Sequence, residues 1–414
     1  MTRYSGSQAG ELTTSMARNL AERLGELGTD RRTLLGAMAA AGTSVGIARG
    51  HEGDDDQHAG FGPDGEYEST RFDPHAFLRE FNTGRGEGDV EQETYTEDGD
   101  LVRHYTFTAV DVDLEVVPGV EFPLKAWSFE GQVPGPTIRA VEGDLVRVTF
   151  RNGSAHSHTI HPHLKNVRPE MDGVPQNGPG VLEPGDEFTY TWRAQPAGVH
   201  LYHCHALPLA EHLHRGMYGA VVVDPDPERV RERPRDYVSY HGPMTDDYRD
   251  VLVERARSLN HEVDGGEQAD EMVMVMNGFD LDFDEDNEVY AVNTRAFAYG
   301  VGETDAAEGD WTPGETIHPI EVDRDTPLRI YLVNVTEFDP INSFHTHSQF
   351  FDYYDHGTTL QPTHKNVDTV MQSQAQRGII ELDYSDHEPG LYMFHAHQSE
   401  FAEQGWMSFF EVVE

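Results

Sequence analysis

The sequence predicts an all-β chain built as two tandem β-sandwiches, and three observations carry that reading. From Tyr105 onward, short alternating stretches are separated by Gly and Pro, the pattern of an antiparallel sandwich. The strand-rich part then repeats itself: Val146-Arg147-Val148-Thr149-Phe150-Arg151-Asn152 matches Leu328-Arg329-Ile330-Tyr331-Leu332-Val333-Asn334. His161-Pro162-His163 matches His345-Thr346-His347 at an offset of 184 residues, and Gly198–His205 matches Gly390–His397 at an offset of 192. Finally, 414 residues suit about two or three domains, and each copy, at roughly 120–145 residues, has the size of one sandwich.

Taken in order, residues 1–50 read as a signal region. Arg31-Arg32 precedes an uncharged run of 16 residues ending at Ala48, too short to span a bilayer comfortably but suited to a signal h-region. Arginines paired before such a run resemble a twin-arginine export signal, so the chain is expected to be exported, extracellular or at the cell surface, without stable membrane insertion. Residues 51–103 read as an acidic arm with one short helix at Pro74–Phe81. The first sandwich is assigned to 104–225, a charged linker with a helix near Asp247–Leu259 to 226–270, and the second sandwich to 271–414. Met272, Met274 and Met276 alternate as core residues of a strand and not as a metal-ion insertion.

Charge excludes some partners. Lys plus Arg is 30 and Asp plus Glu is 74, a net −44 spread along the chain. Nucleic acid and anionic membrane surfaces are excluded, because binding phosphates takes basic residues. The excess predicts adaptation to concentrated salt, where screening tolerates self-repulsion. The single cysteine, Cys204, rules out an intrachain disulfide.

The histidines carry the chemistry. Each half holds two His-x-His pairs: His161/His163 and His203/His205, then His345/His347 and His395/His397. On a strand, residues i and i+2 share a face, so one pair offers two imidazoles to neighbouring metal ions. The first half alone adds His158, Cys204, His212 and Met217. Two imidazoles, a thiolate and a thioether select a blue copper site, whereas structural zinc wants four strong ligands and iron–sulfur clusters want more cysteines. The repeat supplies an internal control: the four corresponding positions are Asn342, Ala396, Phe401 and Trp406. All four paired histidines, His345, His347, His395 and His397, remain where the blue-copper set is lost.

On these motifs, with Gly135-Pro136-Thr137, Gly143-Asp144 and Met171-Asp172-Gly173-Val174-Pro175, the chain resembles a two-domain multicopper oxidase. The resemblance covers roughly residues 104–414 and is to the laccase-like kind with its type 1 copper in the first domain. It implies two cupredoxin-like Greek-key β-sandwiches and four coppers per chain. His161 and His345 would bind the type 2 copper; His163, His203, His205, His347, His395 and His397 would bind the type 3 pair. The other thirteen histidines are left as surface or supporting residues without a role. The step from Cys204 to His212 is longer than in three-domain laccases and is closer to copper nitrite reductase.

The resemblance also implies a route for electrons. A small reducing substrate gives them up at the outer edge of His212, and they pass from Cys204 through His203 and His205 to the site where dioxygen is reduced to water. Asp172 is the first candidate for proton relay and Glu400 the second. In two-domain relatives the first domain of one subunit faces the second of its neighbour, so a homotrimer is expected. Two rivals are carried forward: a copper nitrite reductase, which would leave His205 and the complete second-half pairs idle, and a non-enzymatic copper carrier, which needs no second ligand set.

Overall fold

The computed structural model describes residues 13, 15–21, 23–24, 72–81, 92–117, 120–239, 242–263, 269–301 and 318–414. The twin-arginine run lies outside them. Alternation of apolar residues builds the first sandwich. One sheet runs Gln92–Glu97, Asp100–Val112, Leu145–Asn152, Glu187–Arg193, with Ala126–Phe129 also paired to Asp100–Val112. The other runs Gly135–Val141, Tyr218–Asp224, Gly198–His203, His161–Pro162. Tyr105, Phe107, Val146, Val148, Phe150, Tyr190 and Trp192 close one core between them, each at period 2 along its strand.

The second sandwich repeats the plan. One sheet runs Val289–Val292, Asp270–Phe279, Leu328–Asn334, Arg377–Leu382, Phe351–Asp355, His364–Val367. The other runs Ile320–Asp323, Met407–Val413, Gly390–His395, Ile341–Thr346, Thr369–Ser373. The strand Asp270–Phe279 explains its own continuous apolar run. Met272, Met274 and Met276 fill the second sandwich's core, while Val273 and Val275 join Val199, Leu201 and Val222 of the first sandwich in a shared core. Both faces are buried, and each such side chain contributes roughly 1.5–3 kcal/mol.

Three expectations are corrected here. The sheets are mixed rather than antiparallel: Asp100–Val112 with Leu145–Asn152, Gly135–Val141 with Tyr218–Asp224, Asp270–Phe279 with Leu328–Asn334, and Ile320–Asp323 with Met407–Val413 all pair in parallel. A chain that crosses to the opposite sheet and returns re-enters in the same direction. The acidic arm is part of the fold: Gln92–Glu97 is an edge strand on Asp100–Val112. The helix Pro74–Glu80, capped by Asp73 accepting from the backbone of His75 and Ala76, sets Phe77 into the shared core. Lastly, described helical residues of the first fifty also pack there, through Ala17, Leu20 and Leu24. That spacing of three and four is one helix face.

Charge also crosses between the halves. Arg139 bonds Asp224 on its own sheet and Glu271 across the seam, and Glu271 and Glu381 share Arg329. These groups are mutually satisfied, which buried charges require.

Candidate metal centres

The strand Gly198–His203 ends one residue before Cys204, and the short helix Leu209–His214 brings His212 back over it. Cys204 Sγ lies 3.2 Å from His212 Nδ1 and 3.8 Å from His158 Nδ1, with the two Nδ1 atoms 3.3 Å apart. Met217 is held to both neighbours by backbone bonds, accepting from Cys204 N at 2.9 Å and donating to His212 O at 3.1 Å. All four residues are buried.

This donor set fits copper on its own chemistry. Asp111 can only accept, so the Ser154 hydroxyl gives its proton to Asp111 (2.6 Å) and takes one from His158 Nε2 (3.0 Å). That leaves His158 Nδ1 free as a metal ligand. Burial holds the imidazoles neutral, with His158 well below its ordinary range and His212 lowered to about 3. Burial also pushes the Cys204 thiol up to about 11. The backbone N–H groups of Thr159 and Ala206, 3.3 and 3.5 Å from Sγ, offset only part of that, so a bound cation is what would make the thiolate.

His203 and His205 point to the other side of the strand. His203 Nε2 meets His163 Nε2 at 3.1 Å, and the His161 ring lies 5.2, 5.3 and 5.4 Å from those of His163, His203 and His205. The second sandwich repeats this with His347 Nε2 and His395 Nε2 at 2.9 Å, and His345 5.2, 5.2 and 4.9 Å from His347, His395 and His397. Tautomers are set alike. Nδ1 of His161, His203, His345 and His395 donates to the carbonyls of Asp172, Cys204, Asp368 and Ala396 at 2.6–2.8 Å, leaving each Nε2 for a metal. Thr159 and Ser343 hydroxyls accept from the His205 and His397 backbones, both at 2.8 Å. His205 Nδ1 is buried and unpartnered among the described residues, as a ligand nitrogen without its metal is.

The duplicated backbone sets Asn342, Ala396, Phe401 and Trp406 where the first half has His158, Cys204, His212 and Met217. Ala396 N donates to Trp406 O and Trp406 N to Phe401 O, as Cys204 does to Met217 and Met217 to His212. Asn342, in place of His158, is buried on Thr336 Oγ1, and Phe401 stacks on Tyr290 at 3.8 Å.

Each histidine set is closed within its own sandwich. Among the described residues, no ring contact or hydrogen bond joins one set to the other. Asp172 stands beside His161, its Oδ1 3.3 Å from Nδ1. Glu400 is exposed on the helix Ser399–Glu403, and no described contact joins its carboxylate to the histidines. The edge of His212 is not free to meet a substrate: the residue is 3% exposed, with the Trp127 ring 4.5 Å away. Neither are all thirteen remaining histidines idle on the surface. His200 donates Nε2 to Pro196 O, and His214 Nε2 accepts from Asp280 N across the seam. Sequence reasoning missed Trp127, Ser154 and Asp111, because nothing in their spacing joins them to the ligands.

The first sandwich thus gathers His158, Cys204 and His212 into a buried group able to hold a metal ion, and each sandwich gathers paired histidines into another. Comparison with known proteins agrees. Multicopper oxidase family models match residues 115–228 and 284–414. A crystal structure of a multicopper oxidase is 41% identical with a TM-score of 0.64, covering 83% of this chain and 98% of that one. The chain belongs to the multicopper oxidase family. A copper-containing nitrite reductase of Neisseria meningitidis is 36% identical over 120 residues, 28% of this chain and 29% of that protein. Laccase 1 of Metarhizium acridum is 38% identical over 103 residues, 24% of this chain and 16% of that protein. This chain therefore spans under a third of those curated relatives.

Proposed function

We propose that this protein couples one-electron oxidation of a small reducing substrate to the four-electron reduction of dioxygen to water, as a laccase-like oxidase. One observation carries the reading: two complete four-histidine half-sites survive in a repeat whose second copy has lost its blue-copper ligands. A mononuclear reductase site would not use both halves in full, and a simple carrier would use neither. Bound copper would supply the one-electron steps and the oxygen chemistry, with four ions per chain. His158, Cys204, His212 and Met217 would hold the first. His161 and His345 would hold the second, and the remaining six histidines the pair.

The chain's own groups then do the rest. Cys204 stands between the two sites, and His203 Nδ1 bonded to the Cys204 carbonyl at 2.7 Å gives electrons a hydrogen-bonded route beside the covalent one. Asp172, its Oδ1 3.3 Å from His161 Nδ1, is the first candidate for relaying protons to this site, and Glu400 is the second.

The half-sites meet between chains, in a homotrimer. In one chain His347 and His397 are exposed, which wastes metal-ligating rings. Large exposed apolar residues gather round both half-sites: Leu207 (71%) two residues from His205, and Phe350 (49%), Met371 (67%) and Ile341 (42%) around His345 and His347. A second copy covering that face satisfies both features. Export by the twin-arginine signal and salt adaptation complete the proposal, supported by Arg31-Arg32 with its uncharged run and by the net charge of −44. Oxygen uptake by the copper-loaded protein in concentrated salt, against phenols, Cu(I), Fe(II) and nitrite, tests it. Nitric oxide production without oxygen uptake would overturn it in favour of the reductase.

A further inference from the structure

The blue-copper ligands have no surface of their own in this chain, so an external donor needs an intermediary. His158 and Cys204 are 0% exposed and His212 is 3%. One side chain lies against both histidines. Trp127, on the strand Ala126–Phe129, places its ring 4.5 Å from His212 and 5.4 Å from His158. It is itself buried, but its ring is 4.5 Å from that of His156, which is exposed.

Packing alone does not call for an indole here. Trp127 Nε1 is buried with no hydrogen-bond partner among the described residues, a desolvation cost that phenylalanine would avoid. What the indole adds is a large polarisable face. The Arg215 guanidinium lies over it at 3.8 Å, fixed in turn by bonds to Lys125 O and Glu211 Oε1. Gly216 makes room for this arrangement: at φ +113° its missing Cβ would lie 3.0 Å from Trp127 O and 2.5 Å from Val133 Cγ2. Outside, the chain's net charge of −44 favours a neutral or cationic donor over an anionic one.

We propose that electrons enter this protein through Trp127, taken from a neutral or cationic donor seated against His156 and passed to His212. One electron leaves the donor and one arrives at the metal; Trp127 bridges the gap and is left unchanged. The inference rests on the blue-copper reading of the first sandwich and not on which acceptor lies beyond.

The copper-loaded protein is tested without oxygen by mixing it with hexaammineruthenium(II) or hexacyanoferrate(II) and following loss of the blue absorption. Copper content, the blue site's reduction potential and its reoxidation by oxygen are measured alongside. Trp127→Leu is expected to slow reduction by about tenfold or more, the scale on which lost positioning is felt, with potential, copper content and reoxidation unchanged. His156→Ala is expected to slow it too, and the cationic donor is expected to react faster than the anionic one at low salt. Reduction of Trp127→Leu at the wild-type rate, or a rate loss that its potential shift alone explains, overturns the relay. Should Trp127→Leu not take up copper, His156→Ala decides, and a wild-type rate there is fatal. A wild-type protein with no blue absorption would defeat the site reading itself.

Discussion

Gly173 shows how the chain positions His161 and Asp172, and replacing it gives a prediction of size as well as sign. It sits at φ +70°, and a Cβ built there falls 1.9 Å from Ile160 O, 2.5 Å from Ile160 C and 3.0 Å from His161 N. All three are backbone atoms of the peptide that carries His161, so none can swing away. Gly173→Ala meets a left-handed backbone cost of about 1–2 kcal/mol and an overpacking cost of about 1–3 kcal/mol. Gly185 separates the two: it lies at φ +90° with nothing within 4 Å of a built Cβ, so Gly185→Ala meets the backbone cost alone. Urea unfolding of the metal-free proteins in one fixed salt provides the assay. With a slope of about 2 kcal/mol/M, Gly173→Ala should shift the first-sandwich midpoint by about 1–2.5 M and Gly185→Ala by about 0.5–1 M. Fluorescence reports on the same loop, because Trp192 Nε1 donates to Met171 O at 2.7 Å. Equal shifts from the two variants would refute the claim that the loop is pressed against His161.

Four further outcomes are expected. Asp172→Asn, which keeps the backbone carbonyl bonded to His161, should slow reoxidation by oxygen about 10–100-fold while leaving the blue absorption intact; unchanged reoxidation removes Asp172 from the proton path. Cys204→Ser should abolish the blue absorption and lower copper by one per chain with the other three retained. Burial lowers His200 and His214 from 6.5 to about 4, so the unfolded chain binds more protons between those values. The stability each contributes is complete above pH 6.5 and falls as pH drops toward 4, by about 3 kcal/mol per residue; a denaturation midpoint of the metal-free protein that is flat from pH 6.5 to 4 contradicts this. Melting temperature should rise from 0.1 M to 1 M salt, as the screening length shortens from about 10 to 3 Å, and a falling melting temperature would sink the salt-adaptation reading.

The ligand residues were legible in the sequence because metal chemistry restricts both residue type and spacing. Cys204 between His203 and His205, and the repeat that lost Cys204 but kept His395 and His397, need no coordinates to interpret. The strand Asp270–Phe279 was legible as a strand, but not its double burial, since a short apolar run does not say what covers each face. Parallel pairings escaped because strand direction depends on which sheet the chain visits between partners. Trp127, Ser154 and Asp111 escaped because they reach the ligands across the sandwich, at sequence distances that no motif records. The helix face of Ala17, Leu20 and Leu24 escaped because it lies ahead of the paired arginines and the uncharged run that mark the expected signal.

Subunit complementation tests the central claim most directly. One chain carries His163→Ala and His203→Ala, the other His347→Ala and His395→Ala; each is inactive alone, and the two are unfolded, mixed and reassembled with copper. If half-sites from neighbouring chains close one centre, an equal mixture in a closed ring of three restores about a quarter of the wild-type oxygen uptake. If each chain closed its own centre, every chain in the mixture would keep one broken half, and no oxygen uptake would return.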